Sequence, residues 1–314
     1  MVATVVPSPE RLPHTLPTER LTATGRPQPE LRAELREIPS VRNAFTVAGA
    51  WLQTFGVVAA AAWLDRWWAY AIAFVLMGRG FALLAILGHE SAHRLLFRHR
   101  GLNDFVGRWG LAYPGFTPLD AYRRVHMAHH RDEMGPDEPD RGLYAGYPIT
   151  RASLRRKLIR DLLFVSGWKN LRPLLRGLTT AKARPVTARI LAVQAVLLGA
   201  SIAAGRWWVY PLLWLAPWMT VWRLINRLRA IAEHGGLERS GDRRRTTHVV
   251  RQHWLARFWM VPYNTGWHLA HHVDMGIPWR KLPALHRELE SSGWIAPELE
   301  YPGYTALWRA LASG

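Results

Sequence analysis

Long, largely uncharged apolar stretches occur in two pairs along the chain. The first pair covers residues 44–64 and 67–87, and the second covers 185–204 and 207–226. At a rise of ~1.5 Å per residue, each stretch is long enough to cross the ~30 Å hydrocarbon core of a bilayer. The pattern therefore predicts an all-α polytopic membrane protein with four transmembrane helices in two hairpins.

The distribution of Lys and Arg predicts the orientation of these helices. Of the 41 basic residues, 37 lie in residues 1–43, 88–184 and 223–314, whereas the short turns hold only Arg66 and Arg206. Each turn also carries a Trp pair, which is typical of the membrane interface. Because cytoplasmic segments carry the excess of Lys and Arg, we expect a multi-pass protein of the inner (cytoplasmic) cell membrane with both termini cytoplasmic. Anionic lipid then accounts for the net charge of +18 without nucleic-acid binding.

Arg79 interrupts the second apolar stretch. A charge inside a span is costly and usually faces the interior of the helix bundle. Two interpretations stay open. Arg79 is either a structural residue that pairs within the bundle or snorkels, or a polar element beside a substrate channel.

The segments around the spans have their own predicted character. Residues 1–43 hold seven of the 21 prolines and no apolar run, so we expect no cleavable signal peptide and a mostly disordered segment, with a short helix at 29–37. Residues 44–290 form the predicted membrane domain, and 291–314 form a cytoplasmic tail. Within the domain, 151–168 is apolar on one face and basic on the other, which predicts a helix on the membrane surface.

Eight histidines fall into three clusters whose spacing suits metal binding. The HESAH motif places two histidines at i, i+4, and the repeated motifs HMAHH and HLAHH each place three at i, i+3, i+4. On a helix, these offsets put imidazoles on one face, ~5–6 Å apart. The motifs therefore predict ligands for a metal site in a cytoplasmic helical cap, namely His89, His93, His126, His129, His130, His268, His271 and His272.

A ninth candidate ligand is His234, at the predicted cytoplasmic extension of the fourth helix. Its position in the second hairpin corresponds to that of HESAH in the first hairpin. The remaining five histidines lack such clustered partners, so we expect structural roles for them. They are His14, His99, His248, His253 and His286.

The number of imidazoles constrains the metal. HESAH alone matches H-E-x-x-H, the zinc-binding motif of metalloproteases. A protease site needs only three protein ligands, however, and would give no role to the two H-x-A-H-H motifs. Eight or nine imidazoles predict two metal ions, and iron suits redox chemistry on an apolar substrate. A histidine-rich metal carrier is a further alternative. The chain has no Cys, which excludes disulfides and Cys-ligated sites.

Acidic residues near the histidines are candidates for orienting imidazole rings. Glu90 lies inside HESAH, and Glu233 directly precedes His234. The acidic run RDEMGPDEPD, at 131–140, reads first as a solvated turn. Alternatively, its carboxylates face the imidazoles of HMAHH.

Together, HESAH, HMAHH and HLAHH resemble the three histidine boxes of the membrane fatty acid desaturase/hydroxylase superfamily. Residues 245–286, with RTT, YN, the last box and PWRKLPALH in that order, are similar to the last-box region of bacterial acyl desaturases. The resemblance covers about residues 44–290. It implies a mushroom-shaped helical fold and a diiron centre held mostly by His, including one from the fourth helix, which supports His234.

The resemblance also implies an activity. Members of the superfamily activate O₂ and abstract hydrogen from an unactivated C–H bond, so we expect a desaturase that acts on a fatty acyl chain of a lipid. A hydroxylase or ketolase is the alternative within the same fold. The chain contains no His-Pro-Gly-Gly word of a fused cytochrome b5 and no Cys. Electrons are therefore expected from an external carrier, a ferredoxin or rubredoxin-type protein with its reductase.

Overall fold

The structure is a computed structural model that describes residues 4–314, and the fold is predominantly helical (64%). The α-helices are α1 (Pro29–Leu35), α2 (Ser40–Leu64), α3 (Trp67–Ala92), α4 (Arg100–Phe105), α5 (Leu119–Arg131), α6 (Arg141–Tyr144), α7 (Arg151–Leu162), α8 (Val165–Arg176), α9 (Arg184–Ala203), α10 (Ala216–Met219), α11 (Val221–His234), α12 (Trp254–Trp259), α13 (His268–Val273), α14 (Leu282–Ser291) and α15 (Tyr304–Leu311). Two π-helices cover Val106–Ala112 and Pro211–Leu215, and 3₁₀-helices cover Pro9–Arg11, Gly177–Thr179, Arg243–Arg245 and Pro297–Leu299.

The chain forms two compact units. The first unit comprises Met1–Ile38, Arg123–Arg155 and Arg227–Gly314, and the second comprises Pro39–Tyr122 and Arg156–Asn226. The first unit contains a small parallel sheet in which β1 (Val249–Val250) pairs with β2 (Glu300–Tyr301). Each unit is therefore built from segments that are distant in sequence.

Three helices of the described chain, α2, α3 and α9, are long and apolar enough to cross a membrane, and all belong to the second unit. Asp65 ends α2 in the left-handed conformation, with φ of 48°. Its carboxylate accepts hydrogen bonds from Tyr70 and, at 2.7 Å, from Arg206. The only basic residue of the second predicted turn thus pairs with the first turn.

The expected fourth span, 207–226, is not one continuous helix. It consists of the π-helix Pro211–Leu215, the short α10, and the first residues of α11, with a break at Thr220. Prolines 211 and 217 remove backbone donors from this region, which weakens a regular helix. Thr220 has φ and ψ of −123° and −84°, and its hydroxyl donates to the carbonyl of Ala216 at 2.7 Å.

The start of α11 nevertheless packs closely against α3. A Cβ atom at Gly78 of α3 would lie 2.2 Å from Cγ1 of Val221, so glycine permits this approach. From Val221 to His234 the helix is continuous, as expected for the extension that carries His234.

Arg79 of α3 donates a hydrogen bond to the side-chain amide oxygen of Gln53 of α2, at 3.1 Å. Both residues belong to the second unit. The contact favours the structural interpretation, in which Arg79 pairs with a polar side chain of a neighbouring helix.

The N-terminal segment contains more structure than the expected mostly disordered chain, although residues 1–3 lie outside the described part. Helix α1, at Pro29–Leu35, occupies most of the expected helix at 29–37. Leu21, Leu31 and Leu35 are 2–3% exposed and join the core that surrounds α13 and α14. These three leucines bury apolar area, which offsets the entropy cost of ordering the segment.

The C-terminal tail at 291–314 is also folded. Leu307 and Leu311 of α15 are fully buried, and the indole of Trp308 donates to the carbonyl of Leu228 at 3.0 Å. The tail therefore packs within the first unit, beside the helix that ends at His234.

The amphipathic segment predicted at 151–168 is two helices rather than one. Helix α7 ends at Leu162, and Phe164 adopts the left-handed conformation, with φ of 63°. Helix α8 then runs on to Arg176. A non-glycine residue in this conformation interrupts the regular helical hydrogen bonds, so the segment bends at Phe164.

Candidate metal centre

Three helix ends of the first unit carry seven of the nine predicted ligands. The HMAHH word forms the last turn of α5, HLAHH forms most of α13, and His234 is the last residue of α11. Two residues later, Gly236 adopts the left-handed conformation, with φ of 74°, as glycine commonly does after the end of a helix. The seven imidazoles are buried, and they belong to His126, His129, His130, His234, His268, His271 and His272.

One group of imidazoles in the first unit is formed by His126, His130 and His271. The Nε2 atom of His130 lies 3.1 Å from that of His126 and 3.1 Å from that of His271. The three candidate ligand atoms all lie within 4.8 Å of one another. Two helix faces, from α5 and α13, thus supply one group of nitrogens.

A second group is formed by His129, His234, His268 and His272. The Nε2 atom of His268 lies 3.0 Å from the Nε2 atoms of both His234 and His272. Ligand atoms of His129, His234 and His272 lie within 4.8 Å of one another. This group therefore combines nitrogens from α5, α11 and α13.

The Nδ1 atoms of the second group face hydrogen-bond acceptors outside it. Nδ1 of His234 donates to the carbonyl of Thr246 at 2.8 Å. Nδ1 of His272 lies 2.5 Å from a carboxylate oxygen of Glu133, and Nδ1 of His129 contacts Glu138. With the proton on Nδ1, Nε2 is left with a lone pair that faces the other imidazoles.

Burial also favours the neutral form of these rings. It lowers the pKa values of His234, His268 and His272 well below their usual range. Neutral imidazole is the form that binds metal ions. For His129, burial also opposes the charged form, but the hydrogen bond and the charge of Glu138 raise its pKa overall.

The arrangement of the nitrogens fits a metal ion. Where both Nε2 atoms of such a pair carry lone pairs, a separation of 3.0–3.1 Å is unfavourable unless a cation lies between them. Two imidazole nitrogens, each ~2.1 Å from one ion and at right angles to each other, would be ~3.0 Å apart. The donor set is therefore compatible with a metal site.

Two carboxylates of the acidic run at 131–140 are buried, contrary to the prediction of a solvated turn. Glu133 is 2% exposed and Glu138 is 7% exposed, and their carboxylates face Nδ1 of His272 and His129. Glu138 also accepts from the backbone N–H of Met134 at 2.6 Å. The alternative interpretation, in which these carboxylates face imidazoles, describes this part of the chain.

Glu133 is the centre of a polar network. The hydroxyl of Thr246 and the guanidinium of Arg243 both donate to its carboxylate. Burial raises the pKa of Glu133, whereas the charge of Arg243 and the hydrogen bond from Thr246 oppose that rise. Since the carbonyl of Thr246 also accepts from His234, one residue links two imidazoles to the network.

Glu233, predicted to orient an imidazole, lies 3.5 Å from Nδ1 of His268. Its carboxylate forms an ion pair with the guanidinium of Arg229, with 2.8 Å between Oε1 and Nε, within α11. Burial raises the pKa of Glu233, and the charge of Arg229 opposes the rise. Tyr144 is a further neighbour, with its hydroxyl 3.2 Å from Nδ1 of His129.

His89 and His93 belong to the second unit, at the C-terminal end of α3. Their ring centroids lie 4.6 Å apart, as the i, i+4 spacing predicts. Glu90 is fully buried, and its carboxylate lies 4.0 Å from Nδ1 of His89, which is too long for a hydrogen bond.

Asn103 holds the chain at the end of α3. Its side chain donates to the carbonyl of Ser91 at 2.9 Å and accepts from the backbone N–H of Leu96. The hydroxyl of Ser91 in turn donates to the carbonyl of Asn103 at 2.9 Å. No motif marked Asn103, because its partners are backbone groups of a neighbouring segment.

The five remaining histidines lie outside the candidate metal groups of the described chain. His99 and His253 accept hydrogen bonds at the N-termini of α4 and α12. Nε2 of His248 donates to the carbonyl of Gly235 at 2.8 Å, His286 lies 3.4 Å from Glu290, and His14 is exposed.

Known proteins resemble this chain over much of its length. It is 24% identical over 236 residues to the dihydrorhizobitoxine desaturase of Bradyrhizobium elkanii, covering 68% of this chain and 65% of that protein. It is 22% identical over 239 residues to the sn-1 oleoyl-lipid 12-desaturase of Anabaena variabilis, covering 68% and 66%. A shorter match, 26% identical over 115 residues, is to the sn-1 acyl-lipid omega-3 desaturase (ferredoxin) of a Nostoc strain, covering 35% of this chain and 31% of that protein.

The chain thus spans slightly less than two thirds of the first of these relatives, and about a third of the Nostoc protein. A family model described as Fatty acid desaturase matches residues 65–305, which include all nine predicted histidine ligands. This match, over most of the chain, shows that the protein belongs to the membrane fatty acid desaturase family.

Proposed function

We propose that this protein is an O₂-dependent desaturase that introduces a double bond into the fatty acyl chain of a lipid. The observation that carries the proposal is the set of buried imidazoles whose Nε2 atoms face one another at 3.0–3.1 Å. The lipid substrate is supported by the names of relatives that are acyl-lipid desaturases.

The proposed cofactor is a pair of iron ions. Seven imidazoles in two groups exceed the four ligands that satisfy one zinc ion. We propose His89 and His93 as the two remaining ligands, because they present neighbouring imidazoles at the end of α3. When bound, the iron pair would supply O₂ activation for hydrogen removal from an unactivated C–H bond.

The residues of the chain have defined roles in this proposal. The imidazoles would hold the ions, and Glu133, Glu138 and the carbonyl of Thr246 fix three of the rings through Nδ1. Burial of the groups excludes water, which protects reactive species from side reactions. Glu90 and Glu233 are proposed to act on neighbouring imidazoles rather than on the substrate.

Electrons are proposed to come from an external carrier of the ferredoxin or rubredoxin type with its reductase. The chain has no Cys for an iron–sulfur or rubredoxin centre of its own. The Nostoc relative is named as a ferredoxin-type desaturase, which supports this class of donor.

We propose four membrane crossings, in the cytoplasmic cell membrane, with both termini and a helical cap in the cytoplasm. Helices α2, α3 and α9 would be three of these crossings. The fourth would be the interrupted stretch 207–226, in which broken helical segments are tolerated only where protein surrounds them. The distribution of Lys and Arg supports the cytoplasmic termini.

Expression in a host with defined lipids tests the proposal. We expect about two irons per chain in the purified protein and a new double bond in the acyl chains, measured by mass spectrometry of the cellular lipids. His271→Ala serves as the inactive control. Hydroxylated or keto products would favour the hydroxylase or ketolase alternative, whereas one zinc without iron would favour the protease. Exchangeable metal without O₂ consumption would indicate a metal carrier.

A further inference from the structure

The end of α7 and the whole of α8, both in the second unit, carry exposed apolar side chains that the metal groups do not use. Leu162, Leu163, Phe164 and Val165 are consecutive in sequence, and Trp168 follows one helical turn later. All five are 40–65% exposed, with Leu163 the most exposed. They lie at the bend that Phe164 makes in the left-handed conformation. Such a contiguous apolar surface usually marks an interaction site.

The same segment is strongly basic. Residues 156–184 contain eight Lys and Arg but only one acidic residue, Asp161, which is fully buried. Four of the basic side chains are exposed and form no ion pair within residues 4–314. They are Arg160, Lys169, Arg172 and Arg176. The outer surface of the segment thus combines apolar and positively charged groups without negative ones.

One side of α8 is already covered by protein. A Cβ atom at Gly167 would lie 2.3 Å from the carbonyl oxygen of Met219 in α10, so these helices touch through their backbones. The exposed run and the cations are therefore on the part of the α7–α8 segment that α10 leaves open.

The C-terminal end of α8 is fixed to the start of a candidate membrane span. The hydroxyl of Thr187 in α9 donates to the carbonyl of Leu174, and Nε of Arg184 donates to the carbonyl of Leu178 at 3.0 Å. A Cβ atom at Gly177 would lie 2.4 Å from the Thr187 hydroxyl. Since α9 is long and apolar enough to cross a membrane, α8 is held at the end of a membrane-spanning helix.

We propose that the α7–α8 segment binds anionic phospholipid of the surrounding bilayer. The headgroup phosphates would contact the four exposed cations, and the acyl chains would cover the apolar residues at 162–168. A bilayer surface offers both groups at the depth where a span begins, and basic amphipathic helices bind anionic lipid through this combination. This inference rests on the position of α8 at a span and not on the metal chemistry.

The experiment uses the absence of Cys from the chain. A single Leu163→Cys substitution in the full-length protein is labelled with bimane and reconstituted into nanodiscs. The discs contain either dibrominated phosphatidylglycerol or dibrominated phosphatidylcholine at the same mole fraction, so that quenching reports the lipid at the label. We expect quenching by phosphatidylglycerol to exceed that by phosphatidylcholine by at least about threefold.

Two matched proteins make the result specific. In a variant with Arg160→Gln, Lys169→Gln, Arg172→Gln and Arg176→Gln, the preference should fall to about one, because the four exposed charges are gone. A label at Trp63→Cys, on an 83% exposed residue near the end of α2, should show no preference in either background. Equal quenching by both lipids at Leu163→Cys, with the charges intact, would overturn the proposal. Absence of quenching by either lipid would also overturn it, and would indicate a surface for an acidic protein.

Discussion

The carboxylate of Glu133 lies 2.5 Å from Nδ1 of His272, although 139 positions separate the two residues in sequence. The same carboxylate accepts hydrogen bonds from Thr246 and Arg243. Glu133 therefore joins the loop after α5 to the helix that carries HLAHH. An acceptor at Nδ1 fixes both the tautomer and the orientation of the imidazole.

We predict that Glu133→Ala weakens iron binding by about 10- to 100-fold, because His272 loses the group that orients it. Glu133→Gln retains an acceptor and should have a smaller effect. Iron content after dialysis against a graded chelator measures the difference. Asp132→Asn is the matched control, since Asp132 is adjacent in sequence but contacts the exposed Arg239. Unchanged iron retention in Glu133→Ala would show that the carboxylate does not position His272.

Replacing any of the nine predicted ligands with Ala should abolish turnover and reduce iron content. The nitrogens of each group are close enough to bind the same metal ion, so no spare imidazole is available to replace a lost one. The nine are His89, His93, His126, His129, His130, His234, His268, His271 and His272. Turnover and iron content of the purified variants are measured together.

His253→Ala is the control for this series. His253 is exposed and accepts a hydrogen bond from the backbone N–H of Leu255 at the start of α12. Its loss should cost the protein only about 1 kcal/mol as a lost cap and leave iron and activity unchanged. Wild-type turnover in His129→Ala or His271→Ala would contradict the two-metal scheme.

Short-range patterns predicted the histidine faces, because i, i+3, i+4 spacing needs only one turn of helix. The same holds for α2, α3 and α9, whose length and hydropathy are local properties. The facing of Glu133 and His272 depends on how distant segments meet, and no local pattern contains that information. For the same reason, the sequence of the acidic run alone favours a solvated turn.

The break in the fourth helix could not be predicted from hydropathy either. Apolar composition at 207–226 is compatible with a straight helix, whereas the break depends on the dihedral angles of Thr220 and the positions of Pro211 and Pro217. In the N-terminal segment, the many prolines and polar residues favour disorder, and composition does not reveal that three of its leucines are buried. Leu21, Leu31 and Leu35 find their partners only in the folded first unit.

These leucines lead to a stability prediction for the N-terminal segment. Leu35 is 2% exposed and belongs to the core that also contains Leu269, Ala270 and Val273 of α13. Leu35→Ala should lower the free energy of unfolding of the detergent-solubilised protein by about 2–5 kcal/mol. Leu16→Ala is the matched control, because Leu16 is 85% exposed and should change stability little. Equal unfolding midpoints for the two variants in a thermal melt would show that Leu35 does not stabilise the hydrophobic core.

The proposed topology predicts the accessibility of inserted tags. Tags at residue 1, near residue 150 and at residue 314 should be cytoplasmic, because the adjacent segments carry most of the basic residues. Tags near 65 and 205 should be on the opposite side. Protease treatment of intact cells and of inverted vesicles distinguishes the two locations. A C-terminus that is cleaved in intact cells would contradict the orientation and the cytoplasmic cap.

The last prediction concerns the pH dependence of stability through His248. This imidazole is 6% exposed, and its Nε2–H donates to the carbonyl of Gly235. Burial lowers the pKa of His248 to about 4, although the hydrogen bond to Gly235 opposes the shift. In the unfolded chain the pKa returns to ~6.5. Between these two values the unfolded state binds a proton that the folded state does not, so acid favours unfolding.

The contribution of neutral His248 is therefore fully present above pH ~6.5 and is lost as the pH falls toward about 4. Its size is about 3 kcal/mol, from a shift of roughly two and a half pKa units. His248→Gln, which retains an amide donor, should lose less stability over this range than the wild type, measured by unfolding of both metal-depleted proteins in the same buffers. Because both proteins are metal-depleted, the clustered histidines titrate in both, and the difference between the two stability curves reports His248 alone. His253→Gln, at an exposed position, should follow the wild-type curve. Parallel curves for His248→Gln and wild type would show that His248 is not held neutral by the fold.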